Sequence, residues 1–411
     1  MDCNKLNQSL DELHKLRDDL RSKIDSATES GVGKQEILTI KKELSELSDS
    51  TLEEFFPDFE AIFPDLVWKL DKRIRITETP FSEPVLAIAP LSDNQFAVGG
   101  QNNDLIILTK TPEGELELSE LANNCLDAKG DICTIVPLSG NRFAVGGTGD
   151  ELGFLTKSPE GEWELSEKVD GLKKSAILTI VPLSDNQFVV GGLNGELGIL
   201  TKSQDNKWGI SEKIGKLDNY ISAIIPLSDE QLMVAEGGSR GGLKILAKSP
   251  ESKWELVEEI NEFDGAIHAV IPLPDNQFAI GGYNSKNGVE NSGILKILTK
   301  SQDNKWQLGE KIEGLYGSIY VIAPLSDNQL AAGGRRGSGE LRIIVKSSDG
   351  EWKLSKRIEG FKHINAIVPL SENQFMVGGG YDYGEIGIVT STPLTPEDLK
   401  QAIMDGRLKE T

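Results

Sequence analysis

Side chains able to carry chemistry are few in this 411-residue sequence. The three histidines, His14, His268 and His363, stand in unrelated stretches, and no serine or cysteine beside them completes a nucleophile motif. The three cysteines, Cys3, Cys125 and Cys133, form no CxxC pair and none lies near a histidine. That spacing argues against a zinc site or a disulfide framework, and for a reducing cytoplasm. No glycine pattern cradles a phosphate, and the Asp-Asn turns recur too often to mark one metal site. No cofactor and no metal are therefore expected.

What the sequence offers instead is a gathering of tyrosine and cationic residues in its second half. Arg240, Tyr283, Lys286, Tyr316, Arg335, Arg336, His363, Tyr381 and Tyr383 are the candidate partner-binding residues. Tyrosine and arginine dominate binding hot spots, and arginines on an acidic chain stand out electrostatically. An acidic segment of a protein partner, or another anionic ligand, is the expected occupant.

The elements that must position these residues are copies of one stretch, read most clearly at Ala176 to Ile214. A Pro-Leu pair marks the period, at Pro90, Pro137, Pro182, Pro226, Pro272, Pro324 and Pro369, with spacings from 44 (182 to 226) to 52 (272 to 324) residues. A full copy has a β-branched run, a Ser-Asp-Asn-Gln turn, a second run closed by a double glycine, a variable polar turn, an alternating third run, an Asp/Asn turn, and a fourth run opened by Trp. Four strands, a to d, per period of this length describe the blade of a circular sheet array rather than a two-helix solenoid.

The two ends test whether the array closes. The seventh copy has strands a to c (Ile364 to Thr390) and no d, while Val67 to Ile74 matches Glu351 to Ile358, a strand d. The first strand is thus expected to complete the last blade, since an array left open would expose sheet edges. The six tryptophans, Trp68, Trp163, Trp208, Trp254, Trp306 and Trp352, all open a strand d, and Leu116 takes that place in the first blade. A side chain repeated at every blade is a packing anchor. The a-to-b and c-to-d turns hardly vary and share one face, whereas the b-to-c and d-to-a turns differ and share the other. Function is expected on the variable face.

Residues 1–66 have a different grammar. Leu6, Leu10, Leu13, Leu16, Leu20 and Ile24 recur at helical steps, then Ile37, Ile40, Leu44 and Leu47 after Gly31 to Gly33, which predicts a coiled-coil-like helical hairpin. Short docking helices around Phe55 to Pro64 follow. The arm is expected to pack on itself or on the ring, or to serve oligomerisation, a homodimer included, or tethering. Residues 67–390 are the repeat domain. In 391–411, Thr395-Pro396-Glu397-Asp398 starts a C-terminal helix.

The formal net charge of −22 disfavours nucleic acid and membrane surfaces as partners. The polar N-terminus lacks the apolar core of a secretory signal, and no apolar run is long enough to span a bilayer. The expected location is the cytoplasm, with delivery into a host cytosol by a specialised secretion system as the alternative.

The double glycines (Gly99-Gly100, Gly191-Gly192, Gly333-Gly334 and others) and the Trp opening strand d resemble kelch repeats, and the whole pattern resembles the kelch and WD40 classes of propeller. The kelch tyrosine before that Trp is missing, as are the Trp-Asp and Gly-His pairs of WD40 repeats. Ser348-Asp349-Gly350-Glu351-Trp352 is similar to a shortened Asp-box, a structural element in sialidase-type propellers. The resemblance implies an all-β seven-bladed β-propeller with four-stranded antiparallel blades, flanked by the N-terminal hairpin and the C-terminal helix, and serving as a protein-interaction scaffold. The alternative is a propeller hydrolase or lyase with an active site in the central channel, drawing on His268, His363, Glu236 or Arg342.

Overall fold

The computed structural model describes residues 68–391 apart from 76–82, 92–93, 123–129, 150–151, 170–175, 239–240, 285–291, 302, 304, 316, 336–340, 347–349, 372 and 382. The helical hairpin, the docking helices and the C-terminal helix expected from the sequence lie outside the described residues, as do Arg240, Lys286, Tyr316 and Arg336.

The described chain opens with β1 (Trp68–Arg75) and continues as antiparallel sheets laid down in chain order. The first holds β2 (Val85–Pro90), β3 (Gln95–Gly100), β4 (Leu105–Lys110) and β5 (Leu116–Leu121). The second holds β6 (Ile132–Leu138), β7 (Arg142–Gly147), β8 (Leu152–Lys157) and β9 (Trp163–Lys168). The third holds β10 (Ile177–Ser184), β11 (Gln187–Gly192), β12 (Glu196–Lys202) and β13 (Trp208–Lys216).

A seven-stranded sheet follows, of β14 (Ile221–Ser228), β15 (Gln231–Glu236), β16 (Gly241–Lys248), β17 (Trp254–Leu273), β18 (Gln277–Asn284), β19 (Ser292–Lys300) and β20 (Trp306–Lys311). Next come β21 (Ser318–Ser326), β22 (Gln329–Arg335), β23 (Leu341–Lys346) and β24 (Trp352–Ile358). The last sheet holds β25 (Ile364–Ser371), β26 (Gln374–Gly379) and β27 (Glu385–Ser391), and β1 is its fourth strand. β1 runs antiparallel to β27 from Trp68 opposite Ser391 to Arg75 opposite Glu385. The clasp expected from the sequence is present, and it covers an edge that β27 would otherwise expose.

Going round, β2, β6, β10, β14, the second half of β17, β21 and β25 each contact the next, and β25 contacts β2. The first strand of each repeat is therefore innermost, and the innermost strands close on themselves.

The core lies between neighbouring sheets. Ala144, Leu152 and Phe154 of the second sheet pack with Ile177, Ile180, Phe188 and Trp208 of the third. Phe154 and Trp208 stack with centroids 4.7 Å apart. Every tryptophan opens an outermost strand, and in five repeats the lysine ending the third strand sits over its ring, from 5.1 Å for Lys300 on Trp306 to 5.9 Å for Lys157 on Trp163. The ammonium of each thus faces the ring in a cation–π contact. The double glycines let adjacent sheets approach. A Cβ on Gly333 would lie 2.4 Å from Ile364 Cγ2, and one on Gly378 would lie 2.5 Å from Ile88 Cδ1.

One connection differs from expectation. The outermost strand of the fourth repeat and the innermost strand of the fifth are a single 20-residue strand, β17, with no intervening loop. The bend is made within it at Asp264, whose φ is 61°. Gly265 follows, where a Cβ would meet Tyr283 O at 2.0 Å, so the turn is packed against β18.

Candidate functional site

Each innermost strand carries a bulge at the same place, and the extra residue is Leu86, Cys133, Leu178, Ser222, His268, Tyr320 or Asn365. Each stands four residues before the Pro of its repeat. All seven are half-buried, while the isoleucines or valine just before them are buried. A bulge frees one residue from the ladder and re-aims its side chain. Seven register-equivalent side chains are thereby presented along the inner border of the ring.

Three of these seven, His268, Tyr320 and Asn365, build a continuous polar and aromatic array across sheets with residues from neighbouring strand ends. His268 stacks on Tyr320 with centroids 4.2 Å apart and planes 14° from parallel. Tyr283, at the end of β18, stacks on His268 at 5.3 Å, and Tyr220 at 6.2 Å. Tyr220 Oη lies 3.3 Å from His268 Nδ1. The Arg335 guanidinium sits 4.6 Å from the Tyr320 ring centre, and its Nε donates to Asn365 Oδ1 at 2.8 Å. Asn365 Nδ2 donates in turn to the Val85 carbonyl at 2.6 Å, which carries the array into the first sheet.

Burial sets the protonation of this array. It pushes His268 down to about 4, with the Arg335 charge adding to the effect, so the imidazole is neutral near pH 7. Burial pushes the Tyr220 hydroxyl up to about 12, with Tyr283 adding to it and the Gly238 amide opposing it. Cys133 is a free, half-buried thiol pushed up to about 11 by burial and by Asp131, while Arg335 pulls the other way. His363 is held below its usual range by burial, then by Arg335, with Glu385 opposing.

Of the residues expected to bind a partner, the structure brings Tyr283 and Arg335 into the array and places His363 and Tyr381 beside it. Tyr283 and Arg335 end strands rather than sitting in loops, because β18 and β22 run on past their double glycines. His363 meets Tyr381 edge-on at 4.9 Å, and Tyr381 is 64% exposed. Tyr383 is half-buried in the same turn.

The candidates for catalysis do not assemble into one centre. Glu236 is buried and structural: its carboxylate accepts from the Asn219 amide at 3.2 Å and pairs with Lys244 at 3.3 Å. Arg342 lies on β23, opposite Arg357 of the outermost strand, two strands away from the innermost one. A neutral imidazole that protonates near pH 4 is poorly matched to general base work near neutrality. No group of three metal-ligating side chains occurs among the described residues.

Tyr220 and Asn365 do not stand out in the sequence, and Cys133 does so only as a cysteine weighed for a zinc site or a disulfide. The signal that finds them is the alignment of all copies on the position four residues before the Pro, together with the residue preceding each innermost strand.

No protein-family model and no curated protein matches the sequence. Among solved structures, the WD40 β-propeller domain of Doa1 superposes with a TM-score of 0.59 at 10% identity, covering 79% of this chain and 97% of that one. A likeness at that identity is one of fold, and it agrees with the sheets and their circular contacts: the described chain is an all-β repeat β-propeller of four-stranded antiparallel sheets, two of which are merged through β17 into one of seven strands.

Proposed function

We propose that this protein is a non-catalytic interaction scaffold: a closed seven-bladed ring that docks a protein partner on the face bearing the variable turns. The observation that carries the reading is the setting of Arg335. Its guanidinium lies on Tyr320, is steered by Asn365, and has no acidic partner among the described residues. On a chain of net charge −22 this arginine is a local positive site on an acidic body, and its charge reaches His363, which meets the exposed Tyr381 edge-on. An arginine backed by aromatic planes is the hot-spot chemistry of protein interfaces.

Residues 1–66 act in this reading as an oligomerisation or tethering arm, residues 67–390 as the platform, and residues 391–411 as an accessory helix. The working location is the cytoplasm. No helix among the described residues is long and apolar enough to cross a membrane.

Affinity purification with the full chain tests the reading. A partner captured by the wild type and lost with Arg335→Glu supports docking at this face. Capture unaffected by Arg335→Glu and by Tyr381→Ala overturns it.

A further inference from the structure

The seven bulge residues divide into two chemical arcs. Leu86, Cys133 and Leu178 are consecutive round the ring and apolar; Ser222, His268, Tyr320 and Asn365 are consecutive and polar or aromatic. Because all seven are half-buried, water reaches both arcs. A solvent-reached ring with one apolar and one hydrogen-bonding side is itself amphipathic.

Two sets of nitrogens on the polar arc are unsatisfied by protein. Tyr220 Oη holds His268 Nδ1 at 3.3 Å. His268 Nε2, the other ring nitrogen, is buried and has no hydrogen-bond partner among the described residues. The Arg335 guanidinium commits Nε to Asn365, and its terminal nitrogens meet no carboxylate among the described residues. Nor does Arg335 stand at the rim. Its guanidinium lies on Tyr320 and its Nε bonds Asn365, and both of these are extra residues of innermost strands. A buried polar group without a partner costs about 1–3 kcal/mol, so a ligand that supplies one is favoured.

The whole chain sets the charge of that ligand. With a net charge of −22, each negative charge on an incoming molecule is repelled by the body, whereas Arg335 offers one strong local attraction. One carboxylate gains from the arginine; several lose to the body.

We propose that the inner border of the ring binds a single carboxylate attached to an apolar or flat body, with the carboxylate on Arg335 and the body toward Leu86, Cys133 and Leu178. This rests on the docking reading's choice of face and goes further by naming the group recognised. A peptide chain end and a free organic acid share this chemistry.

The test uses the full chain labelled at its three histidines, whose few ring resonances are assigned by substitution. Titrants are 3-phenylpropionate, the tripeptide Gly-Gly-Phe, and the neutral amide of each. The expected result is a saturable shift of the His268 resonance with at least one acid, its amide binding at least about tenfold more weakly. The tighter acid identifies the source. Arg335→Gln is expected to abolish the shift. Leu178→Glu, which leaves the Arg335 to Asn365 to Val85 chain untouched, is expected to abolish it as well. Equal binding of acid and amide, binding retained in both variants, or no saturable shift with either acid overturns the proposal. If it falls while partner capture still depends on Tyr381, the docking reading stands without an axial ligand.

Discussion

Arg335 and Asn365, on different sheets, are joined by a 2.8 Å hydrogen bond from Arg335 Nε to Asn365 Oδ1. The same asparagine donates to the carbonyl of Val85 at 2.6 Å, so one side chain touches three consecutive sheets, the last and the first among them. Site and closure are coupled through it.

Asn365→Leu therefore has two expected effects. It leaves the Val85 carbonyl and Arg335 Nε without their partner, for a loss of about 1–3 kcal/mol in urea unfolding. It also releases the arginine from its fixed direction, and partner capture weakens even though Asn365 itself need not be touched.

His268 gives a pH signature. Its folded value near 4 lies below the ordinary 6.5, so between the two the unfolded chain binds a proton that the folded chain does not. Its contribution to stability is whole above pH 6.5 and is lost as the pH falls toward 4, by up to about 3 kcal/mol. Urea midpoints at pH 7, 6 and 5 are expected to fall more steeply for the wild type than for His268→Phe, which keeps a ring in the stack and removes the titration. Parallel pH profiles would contradict the assignment.

The clasp is expected to matter as much as an internal blade. Trp68 is 3% exposed and packs on Phe375 at 5.1 Å, so Trp68→Ala removes an anchor from the strand that completes the last sheet. A loss of about 3–5 kcal/mol is expected, together with aggregation as β27 becomes an open edge. Thermal unfolding followed by light scattering reads both.

The double glycines are tested by contrast. Gly333→Ala places a methyl 2.4 Å from Ile364 Cγ2 and is expected to cost about 1–3 kcal/mol by forcing two sheets apart. Gly209→Ala, where a Cβ meets nothing within 4 Å, is expected to leave the urea midpoint nearly unchanged.

Much of this architecture is legible in the sequence because a repeat writes its own alignment. Tryptophan at six strand starts, the double glycines and the periodic proline mark strand ends directly, and the lone strand at Trp68 announces its pairing with β27. The candidate site is legible only in part. Tyr283 and Arg335 stand out by residue type, and their gathering on one half of one face follows from the longer turns of the later copies. That they extend β18 and β22 does not follow, since where a strand stops depends on its partner. The bulge is harder still. It adds one residue to each innermost strand in all seven copies, so it leaves no copy longer than another at that strand, and only the pairing register reveals that Cys133, His268 and Asn365 are bulged. Tyr220 reaches His268 from 48 residues away, and only the closeness of neighbouring sheets makes that contact.

The central claim is that binding resides where the copies disagree, and one titration addresses it most directly. The partner recovered by affinity purification is titrated by biolayer interferometry against the wild type, Arg335→Glu, and Asp229→Arg in the exposed turn at the other end of the same kind of strand. The account predicts at least about a tenfold loss of affinity for Arg335→Glu and less than about a twofold change for Asp229→Arg. A tenfold loss for Asp229→Arg with none for Arg335→Glu would place function on the constant face and contradict it.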